Sequence, residues 1–116
     1  MTVKEFYDET GGGYGEMFGK FGSDVMITKF LTIFKRDKSF DSLVEKLDVG
    51  DVEGSFQAAH TLKGVVLNLN LQGLKDPVCN IVEALRAGNL DDARALFPEV
   101  KEAYGIAVEA LNRLLP

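Results

Sequence analysis

Residues 51–69 read Asp51-Val-Glu-Gly-Ser-Phe-Gln-Ala-Ala-His60-Thr-Leu-Lys-Gly-Val-Val-Leu-Asn-Leu69. At about 100° per residue, Val52, Ser55, Phe56, Ala59, Leu62, Val66 and Leu69 fall in one sector of a helical wheel, so the segment is an amphipathic helix with one face in a core. Asp51 opens it as an N-cap, and Gly50 stops whatever precedes it. His60, the single histidine of the chain, projects roughly 110° from the centre of the apolar sector, on the side of Glu53, Gln57, Gly64 and Asn68. It is open to a partner.

The same helical period runs outward in both directions. Thr2 and Glu5 form a capping box for a short first helix through Phe6, which Gly11, Gly12 and Gly13 break. Tyr14, Met17, Phe18 and Phe21 mark a second short amphipathic stretch before Gly22. Ser23 and Asp24 cap one long helix whose stripe runs Ile27, Phe30, Leu31, Phe34, Phe40, Leu43, Val44 and Leu47, as far as Gly50. After the motif helix a loop is expected over residues 70–75. Asp76-Pro77 then reads as a helix start, because the carboxylate caps free amides and proline suits the first helical position. Val78, Ile81, Val82 and Leu85 form the buried stripe of that helix. Gly88 and Asn89 separate it from a last helix carrying Ala93, Leu96, Phe97, Val100, Ala107, Leu111 and Leu114, which Pro98 is expected to kink or interrupt. Short connections favour antiparallel neighbours. The expectation is an all-α single domain: an antiparallel up-down four-helix bundle over residues 23–116 with a short N-terminal helical cap over residues 1–22.

Composition bounds the function. The chain has 116 residues, 46% of them hydrophobic, enough for one core without disulfide or metal. Cys79 is alone, so it makes no internal bridge, and no second and third soft ligands stand near it for zinc; a reducing, cytoplasmic setting is expected. No leader-like start and no apolar run approaching about 18 residues is present, so neither secretion nor membrane association is expected. A net charge of −5 is the wrong sign for neutralising phosphate backbones, which argues against nucleic acid. A monomer is expected.

Chemistry concentrates around His60. Lys63, at i+3, brings an ammonium within reach of anything attached to the imidazole. Gly64, at i+4, costs about 1 kcal/mol of helix propensity relative to alanine, and one turn from an exposed histidine it makes clearance. A titratable nitrogen with clearance and a nearby positive charge is what phosphoryl transfer between proteins demands. Histidine suits a carrier because its neutral nitrogen is available near pH 7 as a nucleophile. Each residue alone has an ordinary reading: an exposed histidine is usually only surface, and lysine and glycine at these spacings are common.

The run as a whole is more specific. His60-Thr61-Leu62-Lys63-Gly64, preceded by Ala58-Ala59 and followed by Asn68-Leu69 and Leu74, resembles the motif of histidine-containing phosphotransfer (HPt) domains. The similarity extends to Phe21-Gly22-Ser23-Asp24, Gly50-Asp51 and Ala87-Gly88-Asn89. The resemblance implies that His60 is phosphoryl acceptor and donor, that Lys63 supports the phosphoryl group and that Gly64 keeps the site accessible. Val65, Val66 and Leu67 stand where the family often has small residues, and Asn70 where it often has glycine, which bears on the packing of that layer and on the helix end rather than on the chemistry.

Other candidates are partner-binding. Leu67 either presents apolar surface beside the site or contacts the cap; Gln57 either orients a partner or is solvated. Asn68 shares the His60 side, and Met17 and Phe21 of the cap are apolar contributors to docking. In an antiparallel pair folded about residue 73, Arg86 comes level with residue 60, where it meets the phosphoryl group or an acidic partner, or simply favours its helix end through the dipole. The resemblance implies a phosphorelay intermediate whose partners are receiver domains of response regulators or hybrid histidine kinases. No Gly-rich phosphate loop is present, so the chain is expected to be a carrier and not a kinase. No resident cofactor is expected; Mg²⁺ belongs to the receiver, since one histidine and scattered carboxylates make no octahedral oxygen site. The rival readings are an adaptor that binds a receiver without accepting phosphate and the phosphoryl-accepting domain of a larger histidine kinase. An initiating Met1 and a length matched to one bundle favour a free-standing protein.

Overall fold

The computed structural model describes residues 1–115; Pro116, the last residue of the expected bundle, lies outside them. Among the described residues the chain is all α, in seven helices: α1 (Val3–Glu9), α2 (Tyr14–Phe21), α3 (Asp24–Arg36), α4 (Ser39–Val49), α5 (Val52–Asn68), α6 (Gln72–Arg86) and α7 (Leu90–Leu114). Helix α5 packs on α4 and α6, and α6 packs on α7; α1 and α3 lie against one another and α7, and α2 lies against both. Among the described residues no helix is long and apolar enough to cross a membrane.

The caps follow the expected chemistry. Thr2 and Glu5 exchange two hydrogen bonds at the start of α1, with Thr2 N to Glu5 Oε1 2.8 Å and Glu5 N to Thr2 Oγ1 3.1 Å. Ser23 accepts the amide of Met26, Asp51 that of Gly54 and Asn89 that of Asp92. Gly50 closes α4 at φ +76°, a conformation that costs a residue with Cβ.

Four expectations about the helices change. The single long helix before Gly50 is two, because Asp37 leaves the helical conformation (ψ 135°) and its carboxylate accepts both the amide and the hydroxyl of Ser39, starting α4 afresh. Helix α6 begins at Gln72, not at Asp76-Pro77. Leu71 and Leu74 are buried in register with Val78, and the amide of Gly73 in the first turn donates to the carbonyl of Thr10 at 2.9 Å. Pro77 therefore sits inside the helix. Helix α7 continues through Pro98, which lies with Arg94, four residues earlier, among its exposed residues. Helix α1 also runs one turn beyond Phe6.

The core is one cluster fed by every helix. Phe40 of α4 stacks on Tyr104 of α7 with centroids 3.9 Å apart, and Phe34 of α3 meets the same ring edge-on at 5.6 Å. The guanidinium of Arg94 donates twice to the carbonyl of Leu47, at 2.7 and 3.2 Å, so α7 adds donors to a carbonyl at the end of α4 that otherwise accepts only the Gly50 amide at 3.3 Å. The N-terminal helices fasten to the far end of α5. Tyr7 donates its hydroxyl to the carbonyl of Leu69 (2.7 Å), Lys20 donates to that of Asn68 (3.2 Å), and Asn70 Nδ2 donates to that of Gly13 (3.1 Å).

Candidate functional site

Helix α5 is held on both sides, by α4 and by α6, and leaves one ridge outside. Along it stand Glu53, Gln57, His60, Gly64, Leu67 and Asn68. All are exposed, and Lys63, the neighbour of Gly64, is half-buried. A Cβ built on Gly64 would meet no atom within 4 Å. Nothing packs against this glycine, so the space beside His60 is open. Among the described residues no carboxylate lies within 4.0 Å of the Lys63 ammonium, since the ion pairs are Lys4–Asp8, Lys46–Asp51, Arg86–Glu83 and Arg113–Glu9. Its charge is not already committed.

Two grooves border the ridge on the α3 and α4 side. One, of about 540 Å³, has walls of mixed charge, with Asp37, Asp51 and Glu53 beside Lys38 and Lys46, and reaches Gln57 on the ridge. The other, of about 360 Å³, is apolar and lies between α2, α3 and α5, with Phe21, Phe30, Ile33, Val65 and Asn68 in its lining and Lys20 at its edge. Its floor is the pair Phe21–Phe30, with ring centroids 4.4 Å apart. Phe21 and Gln57 thus both stand beside the His60 ridge.

Two expected docking residues are placed differently. Met17 is 1% exposed and belongs to the core, because α2 turns Tyr14, Met17 and Phe21 inward together; Phe18 is the large apolar side chain that this helix leaves exposed. Arg86 is not level with His60. With α6 starting four residues early, the α5–α6 hairpin folds about residue 71, and the Arg86 guanidinium lies over the ring of Phe56, one turn before His60, with Cζ 5.1 Å from the ring centroid. Leu67 is 45% exposed and near the start of α6, so it is surface, and the cap is met instead by Asn68, Leu69 and Asn70.

The residues that sequence reasoning passed over are Phe56, read only as core, and Lys20. Phe56 is half-buried and its ring lies 5.7 Å from the His60 imidazole at 40°. The i, i+4 spacing of Phe56 and His60 was the available signal. The family's usual glycine has a counterpart in the backbone: Asn70 stands at φ +54°, in the left-handed region that asparagine enters more readily than other side chains.

The family model of the Hpt domain matches residues 33–112. The chain belongs to the Hpt domain family. The match covers well over half of the chain and takes in the end of α3 and all of α4 to α6, with most of α7. It leaves α1, α2 and the Phe21-Gly22-Ser23-Asp24 stretch outside. No curated protein and no solved structure matches the chain. Hpt domains are phosphocarrier modules of phosphorelays that interact with receiver domains, and in this one the His60 ridge is the place where an exposed imidazole, open space and an unpaired ammonium coincide.

Proposed function

We propose that this Hpt protein is a phosphorelay intermediate that carries a phosphoryl group on His60 between receiver-domain aspartates. In that reading α4 to α7 serve as an up-down four-helix bundle, a rigid scaffold for one exposed nucleophile. The lone pair of a neutral imidazole nitrogen forms the N–P bond as the P–O bond of the receiver's aspartyl phosphate breaks. The carboxylate leaves with the electron pair, and the proton on the ring's other nitrogen can pass to water. Lys63 offsets charge on the moving phosphoryl oxygens, and Gly64 leaves the line of approach clear. Gln57, Leu67, Asn68 and Phe21 border the docking receiver, Mg²⁺ travels with that receiver, and the carrier acts as a monomer in the cytoplasm without kinase activity of its own.

The observation that supports this best is the open space at Gly64 beside the chain's one histidine. Incubation with a phosphorylated receiver should label the protein with one phosphoryl group, lost in acid and kept in base. Label that persists in His60→Gln would overturn the assignment. Tight receiver binding with no label at all would establish an adaptor instead.

A further inference from the structure

Phe56 is the one aromatic ring beside His60, and its position does more than fill the core. Its inner edge packs against the bundle while its outer part meets two functional side chains, the His60 imidazole at 5.7 Å and the Arg86 guanidinium at 5.1 Å. Arg86 has a second tether, the Glu83 carboxylate at 3.4 Å. An exposed arginine at a helix end ordinarily samples many rotamers; a carboxylate on one side and a π face on the other leave it few. An aliphatic residue at position 56 would fill the same core space and offer neither a face for the cation nor a ring for the imidazole. At about 100° per residue Phe56 and Lys63 lie on the same side of His60, offset by about 40° and 60°, so both cations are gathered on the α6 side. The α4 side, with Gln57, Thr61 and the polar groove, is left for approach.

We propose that Phe56 is a positioning residue, whose ring orients the His60 imidazole and holds the Arg86 guanidinium against its own face, one turn before His60, so that acceptor and second cation are presented on one side of the helix. The inference rests on the phosphotransfer reading for its purpose, and on the two ring contacts for its geometry.

Three variants test it: Phe56→Leu keeps apolar volume without the ring, Phe56→Tyr keeps the ring, and Arg86→Gln removes the cation. In the unphosphorylated parent, nuclear Overhauser effects should connect the Phe56 ring to both the His60 imidazole and the Arg86 side chain. In Phe56→Leu the Arg86 Nε–H should gain fast motion, and transfer from a phosphorylated receiver should slow by about fivefold or more at an unchanged unfolding midpoint. Phe56→Tyr should transfer near the parent rate, and Phe56→Leu should cost less when Arg86→Gln is already present. Parent-like transfer by Phe56→Leu, or slow transfer that Phe56→Tyr does not restore, would overturn the proposal. So would the absence of the two ring contacts in the parent, even with normal transfer. A parent that takes no label from any receiver would overturn the phosphotransfer reading and the purpose given to Phe56 with it, while the ring contacts still judge the geometry separately.

Discussion

The hydroxyl of Tyr7 donates to the carbonyl of Leu69 at 2.7 Å, tying the first helix to the residue that caps the C-terminus of the helix carrying His60. Tyr7 is fully buried, so burial holds its phenol neutral and raises its pKa well above the ordinary 10.0. Tyr7→Phe would leave a buried carbonyl unsatisfied and should cost about 1–3 kcal/mol in urea unfolding. The raised value also sets a sign. The unfolded phenol loses its proton near pH 10 while the folded one keeps it, so the folded state binds more protons in that window. Stability from this group is complete below pH 10 and falls as pH rises beyond it. The parent should therefore lose stability more steeply above pH 10 than Tyr7→Phe does, and parallel declines would show that Tyr7 is not the group responsible.

Asn70 combines two contributions that substitution separates. Its backbone lies at φ +54°, and its side chain donates to the Gly13 carbonyl while accepting from Gln72 Nε2 at 2.9 Å. Asn70→Ala loses both bonds and leaves a Cβ in the left-handed region without the short polar side chain that lets asparagine occupy it. Asn70→Gly loses the bonds but relieves the backbone. The glycine variant should therefore unfold between parent and alanine variant in urea; equal midpoints for the two variants would remove backbone strain from the account.

The residues around His60 were legible because everything needed lies within one helix, where i+3 and i+4 neighbours follow from the period alone. Boundaries set across the chain were not. The split between α3 and α4 had a local signal: Phe34 to Phe40 spans six residues, about 240° out of phase, so one straight helix could not bury both. Asp37 and Ser39 supply the break. By contrast, the tie that holds the first turn of α6, from the Gly73 amide to the Thr10 carbonyl 63 residues earlier, lies in no local pattern, although Leu74 already shares the helical face of Val78, Ile81 and Val82. That shift carried Arg86 from the level of His60 to that of Phe56. Met17 was misplaced because a short amphipathic helix has the same stripe whether it covers a core or waits for a partner.

Lys63 is half-buried and unpaired among the described residues, so its removal subtracts a charge without stranding a partner. Lys63→Ala should leave helicity and the urea midpoint close to the parent and slow transfer by about tenfold, as expected for charge stabilisation at a moving phosphoryl group. Lys63→Arg should recover part of the rate. Parent-like transfer by Lys63→Ala at matched receiver concentration would take Lys63 out of the chemistry.

Gly64 distinguishes site from scaffold most sharply, because the two roles predict opposite signs. A glycine that let another helix approach would make any larger side chain overpack the core, at roughly 1–3 kcal/mol. The structure places nothing within 4 Å of a Cβ at this position, and Gly64 has ordinary helical backbone, absent from the residues with positive φ. A side chain there gains helix propensity, up to about 1 kcal/mol relative to glycine. The same side chain stands one turn from His60 on nearly the same line of the helix, in the space that the proposed function gives to an incoming aspartyl phosphate. Gly64→Gln should therefore keep or raise the urea midpoint while cutting phosphotransfer by at least about tenfold, a barrier increase of roughly 1.4 kcal/mol. Gly64→Ala, with only a methyl group, should raise the midpoint with a smaller loss of transfer. Unfolding and transfer measured on one preparation decide the matter: a clear fall in midpoint would place Gly64 in the packing, and undiminished transfer in Gly64→Gln would show that the receiver does not approach over this residue.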